Sequence, residues 1–336
     1  MAVNFYEVPD EYSSVFSPLV YRLSGIAAGE TVEVAVARSG DERPLGMKRI
    51  VGGDGASVNI SGYVRRCLSP SPFPADILSL DVDEGRCVTV LLAAGGAVSA
   101  GRTYTCAAVP LSYMDLLTAM PDRRRIAWDE SDEISVLPGG GALRYRWKVT
   151  GTGGAYEYES EDYDAPFGIV SLAFGMPAVA AALAGRGLRK EDYDVVEVDI
   201  VRLGESIARV VYDIAERPEG AVRLCWLNVF GGFDYHTFGT PSGEYLVVER
   251  SDADYADTAP RFRGRWRRQE LTSGYMPRAW IEALAGITAS PLVWRVDEEG
   301  FIPVNVQAGE IPLRSDGLNA VSFSVSDGVR IPCQNF

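Results

Sequence analysis

Across residues 143–150 the side chains alternate without a break. Leu143, Tyr145, Trp147 and Val149 fall on one face, and Arg144, Arg146 and Lys148 on the other. A period of two belongs to a half-buried β-strand; an amphipathic helix would repeat its apolar positions every three to four residues. Similar short runs recur at 32–38, 58–60, 77–82, 87–93, 102–109, 133–137, 195–201, 207–214, 222–230, 246–248, 293–296, 302–306 and 321–325. Most are bounded by glycine, proline or acidic turn residues, as expected for strands of β-sandwiches. Pro138-Gly139-Gly140-Gly141 reads as a hairpin-like turn between two of these runs.

Helical signals are few. Residues 61–68 suit one or two turns stopped by Pro70 and Pro72, and 178–184 suit a short helix. A third is expected over 277–285, with Pro277 in its first turn and Gly286 near its end. The expected class is therefore all-β, with tandem β-sandwich-like domains and a few short helices. A length of 336 residues allows two to three domains. The breaks fall after Pro110 and before Tyr245. They give an N-terminal sandwich-like domain (1–110), a central β domain (111–244) and a C-terminal β domain with one short helix (245–336).

Composition narrows the function. A net charge of −14 opposes wrapping of nucleic acid, which needs basic surface, and an apolar fraction of 47% describes a chain that packs. Cys67, Cys87, Cys106, Cys225 and Cys333 are odd in number and lack a CxxC pair, so buried free thiols made in a reducing compartment are expected, without a zinc site. The first residues show no basic, then apolar, leader pattern. The expectation is synthesis in a reducing cytoplasm without a signal peptide. The longest apolar run, 169–184, is broken by Gly175 and Pro177 and reads as a strand followed by a helix, with no membrane span.

Catalytic devices are scarce. The single histidine, His236, lies among aromatics and reads as a strand or turn residue, and no GxSxG elbow surrounds a serine. Acidic runs at 129–133, 157–164 and 252–254 read as solvated loops. Two facing carboxylates in a cleft would instead make a glycoside hydrolase. Asp252, Asp254 and Asp257 resemble half of a calcium loop but lack its glycine and glutamate. The glycine clusters at 52–55 and 151–154 lack a following Lys-Ser/Thr and read as turns, so no cofactor is expected. The basic stretch 261–268, with Arg263, Arg265, Trp266 and Arg267, reads as an amphipathic strand. Its arginines would meet the chain's own acidic loops or a neighbouring subunit rather than nucleic acid.

The most distinctive segment is 223–238. It reads as a buried strand, a Gly-Gly turn and an aromatic return strand, with Asn228 and Asp234 able to bond turn backbone. Trp226, Asn228, Gly231, Gly232 and Asp234 fit a Trp-Leu-Asn-x-x-Gly-Gly-x-Asp pattern. In this the chain resembles structural proteins of tailed bacteriophages and of prophages in Bacteroides-type bacteria. Residues 58–65, and the blocks at 271–284, 290–293 and 302–306, are similar to the same group.

The resemblance implies a non-catalytic tail- or virion-associated protein. Its partners would be further copies in a ring-like homo-oligomer or neighbouring virion proteins, and it carries over no catalytic residues. The alternative is a carbohydrate-binding or adhesion module using Tyr235, Trp266, Trp280 or Trp294 as stacking platforms.

Overall fold

The computed structural model describes residues 2–53, 55–74, 77–113, 116–250, 262–307, 311, 313 and 317–327. The protein is all-β: strands hold 50% of the residues and helices 10%, so sheets set the architecture. No helix among the described residues is long and apolar enough to cross a membrane.

In the N-terminal unit two sheets share one core. The strand Val20–Ser24 lies between Asn4–Glu7 and Ser57–Asn59. Facing them, Cys87–Ala94 is flanked by Thr31–Arg38 and Arg102–Thr105. Cys87–Ala94 alternates strictly, burying Val88, Val90, Leu92 and Ala94. The Tyr21 and Tyr104 hydroxyls meet at 2.6 Å across the two layers, which satisfies two polar groups that burial would otherwise strand. The short helix Ser61–Arg65 closes the core with Val64.

The central unit follows the same principle. A sheet ordered Arg123–Ile126, Glu205–Ile214, Val195–Arg202, Gly141–Gly151, Gly154–Glu159 faces the three-stranded sheet Ser131–Val136, Val170–Gly175, Leu78–Val82. Trp147, Val149, Val198 and Val210 from the first layer pack on Ile134, Leu172 and Phe174 of the second. The helix Met176–Ala184 adds Val179 and Leu183 to the same core. Gly151 opposes Gly154 across the hairpin expected there.

The turn at 138–141 differs from expectation. Ser131–Val136 pairs with Val170–Gly175, whereas Gly141–Gly151 pairs with strands of the other layer, so the turn carries the chain across the core. Gly139, Gly140 and Gly141 all take positive φ, which side chains resist, and this permits the sharp crossing.

The third unit is a seven-stranded sheet. Its order is Phe233–Phe238, Val222–Leu227, Val293–Asp297, Gly300–Gln307, Ser322–Asp327, Phe262–Thr272, Gly243–Arg250. The helix Arg278–Ala289 lies in one core with Trp226, Phe238 and Phe323 of this sheet. It continues past Gly286, where a stop was expected, because Ile287 extends the buried stripe of Ile281 and Leu284.

Strand pairing crosses both segment limits read from the sequence. Leu78–Val82, before residue 110, pairs with Val170–Gly175, and Val222–Leu227, before residue 244, pairs with Val293–Asp297. Turn residues mark where strands end, not which sheet the next strand joins. A fragment spanning 111–336 would lack the outer neighbour of Val170–Gly175 and would lose Leu80 from the central core. It is expected to lose its near-UV circular dichroism and to bind hydrophobic dyes; a native spectrum with one sharp melt would contradict this dependence.

Candidate functional site

Glu130, Asp132 and Glu133 were expected in a solvated loop; all three are buried, and only Asp129 of that run is exposed among its acidic residues. Burying a carboxylate is costly unless a charge and hydrogen bonds meet it. Here each meets a buried arginine. Alternation along Ser131–Val136 sends Asp132 and Glu133 to opposite faces of the strand.

On one face Arg86 reaches Glu133 at 2.5 Å and Asp83 at 2.8 Å. It also donates to the Ser135 and Ser171 hydroxyls at 3.0 and 2.7 Å, and more distantly to the Gly231 carbonyl at 3.5 Å. All five guanidinium hydrogens are thus used. The Phe233 ring lies beneath the guanidinium, 4.9 Å from its centroid. Burial alone would lower the Arg86 pKa, but Glu133 and Asp83 hold it above its ordinary value.

On the other face Arg124 pairs with Asp132 at 3.1 Å, and the Tyr212 hydroxyl donates to the same carboxylate at 2.9 Å. Glu130 meets Arg223 at 3.2 Å and accepts from the Thr237 hydroxyl at 2.6 Å and the Ala127 amide at 2.9 Å. Burial pushes the Glu130 pKa up. Arg223, Thr237 and the Ala127 amide outweigh that and hold it below the usual carboxylate range. Three arginines from three stretches of chain therefore converge on one strand.

The Trp226–Asp234 motif sits beside this seam and has a legible mechanical role. Leu227 and Phe233 pair, leaving residues 228–232 as the turn. The Asn228 side chain accepts from the Phe230 and Gly232 amides at 2.9 and 3.2 Å and donates to the Leu117 carbonyl at 3.0 Å. A Cβ on Gly232 would stand 2.1 Å from that carbonyl oxygen, so only glycine fits. Gly231 takes φ +80° and lies against Cys106 and Ala107, while the Val229 carbonyl accepts from Ala108 at 2.8 Å. Asp234 accepts from the Thr118 hydroxyl and from the Ala119 amide at 3.1 Å. Burial raises its pKa, opposed by Arg124. Trp226 fills the core against the helix Arg278–Ala289. The motif clamps the third unit to the exit of the first.

His236 lies on the strand Phe233–Phe238, its ring edge-on to Phe238 at 4.7 Å and tilted to Trp280 at 5.8 Å. Burial, and then the Arg223 charge, lower its pKa to about 4. Cys106 and Cys225 are buried, Cys67 and Cys87 half-buried, and all four are free thiols; Cys333 lies outside the described residues. Burial pushes the Cys87 and Cys106 thiols up to about 12, which leaves them unreactive.

Tyr235 is buried, and Trp266, Trp280 and Trp294 are half-buried, with Trp294 edge-on to Phe233 and Trp280 beside His236. Asp252, Asp254 and Asp257 fall outside the described residues, as do the side chains of Arg261 and Arg263. Among the described residues no group of three or more His, Cys, Asp or Glu side chains could hold a metal ion.

Arg265 and Arg267 are exposed on the strand Phe262–Thr272, and Arg267 meets Glu244 at 3.8 Å. That strand and Gly243–Arg250 form the end of the seven-stranded sheet. Only residues 268–272 of it pair with Ser322–Asp327, so the part carrying Arg265 and Arg267 continues as a two-stranded ribbon among the described residues. Leu246 is 62% and Val248 47% exposed on one face of it, while Tyr245 lies opposite Arg268, whose guanidinium sits 4.9 Å from its ring centroid. Neither a protein-family model nor a curated protein matches the chain.

Arg86 and Arg223 escaped sequence reading because Glu133 and Glu130 are distant, whereas Arg124 lies only 8 residues from Asp132. Arg86 and Glu133 are 47 residues apart, and Arg223 and Glu130 are 93 apart. The available signal was local: Asp132 and Glu133 run straight into Ile134–Leu137 with no turn residue between them.

Two outcomes follow. Replacing Arg86 with Met strands Glu133 and Asp83, and should cost about 3–5 kcal/mol in urea unfolding, part of which Glu133→Leu in the same chain restores; an unchanged midpoint would refute the pairing. His236 binds its proton more weakly folded than unfolded, where 6.5 is the ordinary value. Stability is therefore full above that value and falls by up to about 3 kcal/mol as pH drops from 6.5 towards 4. His236→Gln should remove that part of the decline, measured by urea titration at each pH.

Proposed function

We propose that this chain is a non-catalytic structural protein that works by assembling, with further copies of itself or with other proteins of a larger particle. One observation carries the reading: a two-stranded ribbon, among the described residues, that leaves Leu246 and Val248 in water. An isolated two-stranded ribbon is marginal in water, and exposed apolar residues beside unpaired backbone invite another chain. The buried ionisable groups support it too. Arg86, Arg124, Arg223 and their carboxylates hold the units together. The tail- or virion-associated setting rests on the resemblance carried by Trp226, Asn228, Gly231, Gly232 and Asp234.

Light scattering and native mass spectrometry at micromolar concentration, on the chain alone and mixed with the products of its neighbouring genes, test the reading. A concentration-dependent oligomer or a stoichiometric complex is expected. A monomer under both conditions would reject it.

A further inference from the structure

Between the first and central units a cleft of about 340 Å³ opens, within the range of small-molecule sites (~300–1,000 Å³). Three stretches of chain line it. The first is the outward face of the N-terminal sheet. Alternation along Cys87–Ala94 buries Val88 and Val90 and turns Thr89 away from the core. Thr89 stands opposite Thr103 on the neighbouring strand, and their hydroxyls meet at 2.9 Å. The second is the turn at 83–84, with Arg38 beside it at the end of Thr31–Arg38. The third is Pro166-Phe167-Gly168, the link between Tyr163–Ala165 and Val170–Gly175.

Phe167 is 68% exposed at this cleft, and its position is held. Pro166 has a fixed φ, and Gly168 takes φ +147°, which side chains resist. A Cβ on Gly140 would stand 3.4 Å from the Phe167 ring, so the ring rests against a glycine. The charges on the lining are already compensated: Arg38 meets Glu84 at 3.3 Å, and Asp83 meets the buried Arg86 at 2.8 Å. A charged ligand of either sign would have to compete with one of these pairs, whereas a neutral one need not. The cleft therefore offers a stiffly held aromatic face, a hydroxyl at Thr89, and ion-paired groups that still have hydrogen-bonding capacity. Arg38 and Glu84 keep 43% and 76% of their side-chain surface in water.

We propose that this cleft binds a neutral saccharide, one sugar ring lying on the Phe167 face with its hydroxyls bonded to Thr89, Glu84 and Arg38. A pyranose has the matching chemistry. The C–H groups of its faces pack on an aromatic ring, and the hydroxyls around its rim both donate and accept. Glu84 accepts, Arg38 donates, and the Thr89 hydroxyl does either. The cleft shares no residue with the ribbon of the third unit, so sugar binding and assembly stand or fall separately.

An array of printed neutral and anionic glycans, probed with the labelled full chain, tests the proposal, followed by calorimetric titration with the free form of the neutral glycan retained best. The wild type should retain neutral glycans. Phe167→Ala and Thr89→Val should each weaken the titrated affinity about tenfold or more, with circular dichroism and melting temperature unchanged. Phe16→Ala, which removes an exposed ring outside the cleft, should leave the affinity as it is. An array that retains no neutral glycan, or only anionic ones, overturns the proposal. So does a titration in which Phe167→Ala binds as tightly as the wild type, or in which Phe16→Ala loses as much.

Discussion

The pairing of three buried carboxylates with three buried arginines along Ser131–Val136 is the constraint on which the arrangement of the whole chain depends. Arg86 comes from the turn that leads into Cys87–Ala94, Arg124 from the edge of the central sheet, and Arg223 from the third unit. None of these charges tolerates burial without its partner. Each unit therefore completes its interior only when the others are in place. A slip of one residue in Ser131–Val136 would exchange the faces of Asp132 and Glu133, leaving Arg86 and Arg124 both mismatched. Hydrophobic packing alone would tolerate several orientations of the three units; the ion pairs select one.

The Trp226–Asp234 turn performs the same work mainly through hydrogen bonds. Asn228 and Asp234 spend their side chains on backbone atoms of residues 117–119, and Gly232 makes room for the Leu117 carbonyl. The Gly231 carbonyl also faces Arg86, so the turn and the ionic seam share an atom. A substitution in the turn would reach the seam through that carbonyl and through the Phe233 ring beneath Arg86.

What the sequence revealed follows from the range of the forces involved. The alternation at 143–150 reports a local choice of faces, and the strand Gly141–Gly151 obeys it. The Gly-Gly turn after Asn228 was legible for the same reason, since an Asx turn is settled within a few residues. The burial of Glu130, Asp132 and Glu133 was misread because composition looked outward: a run of acids suggests water until a guanidinium, for Glu133 and Glu130 from 47 and 93 residues away, is brought against it. The glycines at 139–141 announced a turn, but whether a turn joins neighbours or crosses layers depends on which strands pair, and that is decided by the core. Arg265, Trp266 and Arg267 were legible as an amphipathic strand.

Net charge then acquires a second meaning. A molecule at −14 repels its own copies over a distance of about a Debye length, ~8 Å at physiological salt, which disfavours most ways of bringing two chains together. Against that background a contact is favoured only where one surface reverses the sign. The strand Phe262–Thr272 does so locally, with four arginines against one glutamate. Repulsion over the rest of the surface disfavours most encounters between copies, which leaves selectivity to the few places where the sign reverses.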